Sequence, residues 1–229
     1  GVSATPSRQK IFGCRPTSQA NEMACVEEIL SRLANQAYRG KFDASMLEDL
    51  VSFYLQGAEI GGFENGIKTA LQAILASPDF VFRVEGTPED AQLGKAFQLA
   101  ELDLASRLSF FLWGTSPDEE LMNLARTGEL SKPGVWDRQI ERMLSDRRAE
   151  ALGSRFAGQW LRLEDLEKVH PDRKLYPDFS EQLANAMRVE TEMFFNHLVK
   201  EDSSALELFT ANYTFANEAL AEHYGITDV

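Results

Sequence analysis

Apolar residues recur at helical spacing along almost the whole chain, and that periodicity leaves little room for any architecture other than packed helices. Met23, Val26, Leu30, Leu33 and Ala37 form one stripe. Met46, Leu47, Leu50, Val51, Tyr54 and Leu55 form a second, behind Asp43, a residue suited to cap a helix N-terminus. Ile67, Ala70, Leu71, Ile74 and Leu75 form a third, stopped at Ser77-Pro78. Three stripes joined by short glycine-bearing links predict a small three-helix bundle. Long alternating β-branched runs are missing, so the expected fold class is all-α.

A second helical block follows the string "SPDFVFRVEGTPEDAQLG". Phe80, Phe82 and Val84 alternate, and Gly86 and Pro88 follow, which reads as a short extended linker around 79–95. The expected domains are therefore 1–86, a lead-in plus the small bundle, and 87–229, a larger helical domain. In the latter, Leu104, Leu108, Phe111 and Leu112 predict a helix ending at Gly114. Ser116-Pro117-Asp118-Glu119 then reads as a start signal, with Ser116 as cap, Pro117 at the first helical position and Glu119 closing a capping box. Further helices are expected over about 134–144, 147–163 and 179–200, with short ones near 204–210 and 216–224. Asp178, Ser204 and Asn217 mark three of the later starts.

Charge narrows the partners. The net charge is −13, and residues 87–229 carry 15 basic against 26 acidic side chains, so a phosphate-coated partner is repelled. Nucleic acid and an anionic membrane surface are both disfavoured, and no apolar run is long enough to span a bilayer. The opening "GVSATPSRQK" and the closing "HYGITDV" read as the ends of a piece of a longer polypeptide.

Candidate chemistry is sparse. His170, His197 and His223 are scattered, with no HExxH, CxxC or EF-hand pattern, so no metal is expected in this chain. Glu190 and His197 share a helix flank but lie seven residues apart, about 10 Å along the axis. The expectation is a flank carboxylate, and a histidine pairing locally with Glu201. Cys14 and Cys25 are the only cysteines, and neither heads a C-x-x-C-H haem motif or a thioredoxin-like dithiol. Glu190 and Glu192 point about 160° apart on a helix and cannot form one acid–base pair, while Glu192 sits one turn from Arg188. "LSFFLWGTSPDEEL" and "RFAGQWLRL" bring aromatic residues and arginines into proximity. A pocket built from Arg107, Trp113, Arg155, Trp160, Arg188 and Glu190 competes with the simpler reading of a bundle core whose arginines tie helix ends. Gly153 and Gly158 suggest close helix–helix approach.

The ordered strings "SRQKIFGCRP", "ILSRLANQAYRG", "GGFENGIKTALQAILASPDFVFRVE", "LASRLSFFLWGTSPDEEL", "FAGQWL", "LYPDFSEQLANAMRVETEMFFNHLV" and "YTFANEALAEHYGI" cover nearly the whole chain. Together they resemble a large family of secreted bacterial proteins, abundant in planctomycete-type bacteria, built from domains of unknown function. The chain departs from that pattern at Gly40, where "YRRP" is common, and at Val189, where a second arginine is usual. The resemblance implies the two central helical domains of an exported protein that often carries an upstream c-type cytochrome domain. It therefore implies an extracytoplasmic location, haem c elsewhere in the full-length protein, and the other domains of that polypeptide as partners.

In an exported protein, two cysteines and no others favour a disulfide, so the resemblance also implies a Cys14–Cys25 bond pinning the lead-in against the first helix. Two functional readings follow. One is a helical scaffold or docking module in a cytochrome-linked protein. The other is part of a secreted oxidoreductase acting on an extracellular polymer or a small organic substrate, with the six-residue pocket above as its site.

Overall fold

The computed structural model describes residues 5–226, and every regular element among them is helical. The chain divides into two units. One comprises the chain up to Arg107 together with Ser116–Ser131, and the other Leu108–Thr115 together with Lys132 onward.

The first unit is built on α1 (Pro6–Ile11), α2 (Glu22–Ala37) and α3 (Ala44–Ala76). Asp43 caps α3 as expected, its carboxylate accepting from the Met46 amide at 3.0 Å. At Gly61 and Gly62 α3 leaves helical geometry, and Gly62 takes φ +71, which only glycine adopts cheaply. The two arms fold back on each other, giving with α2 the three helices of the apolar stripes. Asn65 Nδ2 donates to the Gly57 carbonyl at 2.7 Å across the hairpin. A Cβ at Gly66 would stand 2.5 Å from the Tyr54 ring, so the arms meet where no side chain intervenes. Val26, Ile29, Leu30, Tyr54, Ile67 and Ile74 fill the core at 1% exposure or less, each large apolar side chain contributing roughly 1.5–3 kcal/mol by burial.

Cys14 and Cys25 are bonded, with Cα atoms 5.9 Å apart. The bond joins the lead-in to the buried face of α2, and three further contacts hold the same segment. Phe12 packs on Phe63, Arg32 donates to the Ile11 carbonyl at 2.8 Å, and Glu64 accepts from both Arg8 and Arg15. The Arg8 hydrogen bond leads the causes that hold the Glu64 carboxyl below its usual range.

The linker expected around 79–95 is extended for most of its length and helical only at its start. Pro78–Val81 forms a single helical turn, α4, and 82–100 follows without regular structure apart from turns. What holds this backbone is the buried Arg39 guanidinium, which donates to the carbonyls of Asp79 (2.5 Å), Phe82 (2.8 Å), Phe80 (3.3 Å) and Ala37 (3.3 Å). Arg39 itself adopts φ +55 as α2 ends, and Gly40 follows at φ +84. A Cβ at Gly40 would come within 2.5 Å of Met122 and 3.1 Å of Leu102, and with the positive φ this favours glycine here. Lys41 donates to the Val84 carbonyl and pairs with buried Asp103, whose other oxygen accepts from the Gly86 amide.

Helix α5 (Glu101–Leu112) begins in the first unit, where Glu101 accepts from the Leu130 and Ser131 amides. The next start lies two residues beyond the Ser116 expected. Asp118 caps α6 (Glu119–Arg126) by accepting from the Leu121 amide.

In the second unit the chain forms α7 (Val135–Leu144), then a region expected to be one helix over 147–163 and found broken. It runs as a 3₁₀ turn at Arg147–Glu150, a π-helical stretch at Leu152–Ala157, the short α8 (Gly158–Trp160) and a 3₁₀ segment at Leu163–Lys168. Helix α9 (Glu181–Lys200) is capped by Ser180 rather than Asp178, with α10 (Glu207–Thr210) and α11 (Glu218–Tyr224) after it. Asn217 caps α11 as expected. Leu183, Ala186 and Leu220 form a buried cluster where α11 returns to α9.

Two substitutions test this account of the first unit. Replacing both cysteines by serine is expected to lower stability in urea unfolding by about 2–3 kcal/mol, because the closed loop restricts the unfolded chain. Arg39→Ala is expected to cost about 2–4 kcal/mol in the same assay, since it strands several carbonyls at once.

Candidate functional site

The six side chains expected to share a pocket are distributed over separate structural tasks. Arg107, in the first unit, is exposed and forms a two-pronged pair with Glu85, at 2.8 Å from Nε and 2.5 Å from Nη2. That bond ranks first among the causes that raise its pKa.

The other five belong to the second unit. Trp113 is buried at 3% exposure, and its indole N–H donates to the Met143 carbonyl at 2.8 Å. The Arg148 guanidinium lies 3.4 Å from the centre of its ring, and Arg142 also lies over it. Asp146, hydrogen-bonded by the Arg148 side chain and backbone, has its pKa lowered to about 2. Arg155 donates at 2.5 Å to the carbonyl of Gly114, the residue that ends α5 at φ +64. Trp160 is half exposed and joins Phe111, Phe156 and Phe195 in an aromatic cluster with ring separations of 6.0–6.1 Å.

Arg188 and Glu190 stand two residues apart on α9 and therefore face different ways. Arg188 pairs with Glu192 one turn on, at 2.6 Å, and donates to Asn185 at 2.7 Å. Glu190 accepts from the Thr214 hydroxyl and, at 2.8 Å, from the Tyr224 hydroxyl. His197 does not pair with Glu201 but meets the rings of Tyr213 and Phe215 edge-on, at 5.6 and 5.3 Å. The Glu190–His197 flank is thus the seat of the C-terminal segment 213–224. Gly153 has the close approach expected of it, its amide donating to Asn196 at 2.9 Å where a Cβ would clash. A Cβ at Gly158 would meet only the Gly153 carbonyl, at 3.8 Å, so no close approach requires glycine there.

Two cavities of the second unit flank α9. One, of about 590 Å³, lies along Glu190, Met193, Thr214 and Phe215. The other, of about 750 Å³, opens between the 166–180 segment and the first half of α9, lined by His170, Arg173, Tyr176, Phe179, Asn185 and Arg188 among others. Of its polar residues only Arg188 was expected in a pocket. The 163–180 stretch has no hydrophobic period, and little in its sequence shows that it faces a helix N-terminus. Among the described residues no group of three or more acidic, histidine or cysteine side chains is placed to hold a metal. No helix among them is long and apolar enough to cross a membrane.

Glu190 leaves a titratable signature. Partial burial, followed by the Glu190 hydrogen bond, pushes the Tyr224 pKa up to about 12. A raised tyrosine pKa means that the folded chain keeps its proton while the unfolded chain loses it. The stability it contributes is therefore complete below the ordinary value of 10 and is lost as pH rises through about 12. Glu190→Gln is expected to lower the Tyr224 transition in ultraviolet titration of tyrosinate, and to flatten the alkaline fall in stability over that window.

With this geometry in place, comparison with known proteins is informative at the family level. A family model described as PSD5, protein of unknown function (DUF1595), matches residues 25–85, the α2–α3 bundle and the segment that Arg39 holds. A second, PSD4, protein of unknown function (DUF1592), matches residues 99–226, from the residues just before α5 to the end of the described chain. No curated protein and no solved structure matches. The second match spans more than half of the chain, and the chain belongs to the PSD4 (DUF1592) family of proteins of unknown function.

Proposed function

We propose that this chain is a helical scaffold and docking module of an exported, cytochrome-linked bacterial protein, with the other domains of the same polypeptide as its partners. The observation that carries this reading is the employment of the pocket candidates. Arg107, Arg155 and Glu190 each hold another part of the chain, Arg188 pairs within its own helix, and the four do not converge on one reactive centre. Such contacts rigidify a module that presents surfaces, whereas a reactive centre gathers polar groups around a substrate atom.

Two further points support the reading. A disulfide closing a short loop suits an oxidising compartment. The family that the sequence resembles often carries an upstream c-type cytochrome domain, which supports the reading. Covalent haem does not fit this chain, because both cysteines are consumed in the disulfide and neither is followed by the histidine that haem c requires. On this reading the haem is carried by another domain, and this chain contributes position.

The test uses the full-length secreted protein beside this chain alone. The full-length protein is expected to show a c-type haem spectrum and the isolated chain none. After limited proteolysis between domains, the cytochrome fragment is expected to stay bound to this chain through gel filtration. Haem retained by the isolated chain, or clean separation of the two fragments, overturns the proposal.

A further inference from the structure

We propose that the larger cleft of the second unit, between the 166–180 segment and the first half of α9, binds a neutral sugar unit of a carbohydrate. Its volume of about 750 Å³ lies in the range of small-molecule sites. The floor is held firmly: Phe179 packs on the buried cluster of Leu183, Ala186 and Leu220, and Ala184 is buried beside it.

The lining chemistry selects the ligand class. Arg173 and Arg188 face the cavity together with Glu167 and Glu181, so the fixed charges cancel. A polyanion gains little from such a balance, and a bare apolar ligand would leave these groups unpaired. A sugar hydroxyl both donates and accepts, and it suits a wall that offers guanidinium donors, carboxylate acceptors and the two-way amide of Asn185. Tyr176 and Phe179 add ring surface of the kind on which the C–H face of a pyranose lies.

The donors also differ in readiness. Arg188 is fixed by Glu192 and Asn185, so it forms an oriented part of the wall. Among the described residues, His170, Arg173 and the Tyr176 hydroxyl make no side-chain hydrogen bond, and their capacity is left for a ligand. The site does not depend on the docking role proposed above, since no partner domain contributes to it.

The experiment is a nitrogen-15 NMR titration of the whole chain with cellobiose, lactose and chitobiose, with inorganic phosphate and galacturonate as anionic controls. At least one neutral disaccharide is expected to give saturable shifts confined to amides of 166–188, with a Kd of about 1 mM. Tyr176→Ala and Arg173→Ala are each expected to weaken it by about tenfold without moving the thermal midpoint, because both side chains are exposed. The absence of saturable shifts with all three disaccharides overturns the inference. So does saturation of the cleft by phosphate or galacturonate alone, or affinity unchanged in both variants.

Discussion

The arrangement of the first unit turns on one buried cation that has carbonyls, not a carboxylate, as its hydrogen-bond acceptors. Arg39 sits where α2 ends, and its guanidinium reaches the carbonyls of Asp79, Phe80 and Phe82 as the chain leaves the helical hairpin. Burial, then the nearby Arg83, lowers its pKa, so the environment works against the charge and the fan of acceptors answers it. Only the planar fork of arginine can serve several carbonyls in different directions, and lysine would leave most of them unmet. Within the first unit, the backbone of 79–82 takes its course from this point. Lys41, two residues on, reaches Val84 and Asp103, and Arg107 reaches back to Glu85, so 79–86 is held by side chains from both ends.

The second unit uses the same device with different residues. Trp113 is anchored through its indole N–H to a backbone carbonyl, Arg155 through a guanidinium to Gly114, and Asn196 accepts from the Gly153 amide. In each case a polar group of a side chain satisfies a backbone group near a helix end or break. A chain of many short helices has many such breaks, so its polar residues are in structural demand. That explains how residues with the look of an active site come to lie apart. Aromatic-plus-arginine strings are what a helical fold needs at its corners as well as what a pocket needs at its centre.

How much of this was legible in the sequence follows from the range of the forces involved. The stripes on α2, α3 and α9 were readable because burial of one helix face is written locally at a period of 3.6. Asp43 and Asn217 were readable as caps because a cap acts within three residues. Where two candidate caps stand close together, as Ser116 with Asp118 and Asp178 with Ser180, local chemistry does not decide, and the inner residue took the role both times. The π-helical stretch at 152–157 was not readable, because its register is set by Gly153 lying against Asn196, forty-three residues away. The alternation of Phe80, Phe82 and Val84 pointed to extended backbone, which the chain adopts from Phe82 on after one helical turn. Extended backbone needs hydrogen-bond partners, and here two distant side chains, Arg39 and Lys41, supply them in place of a neighbouring strand.

Helix α9 shows why the site itself was hardest to read. A helix has one stripe for the core, and Leu183, Ala186 and Leu198 occupy it. The flanks on either side are then free to do different work, and two residues of spacing is enough to separate them. Glu190, on one flank, holds the C-terminal segment through Thr214 and Tyr224, so change there acts first on stability. Arg188, on the other, borders a cleft that takes Glu181 and Asn185 from the same helix and its other polar groups from a stretch with no period at all. Sequence adjacency joined these two residues into one imagined pocket, while helical geometry assigned them to opposite walls. On the cleft side, Arg173 and Tyr176 are exposed and contribute little to folding, so change there leaves the helix that carries Arg188 intact.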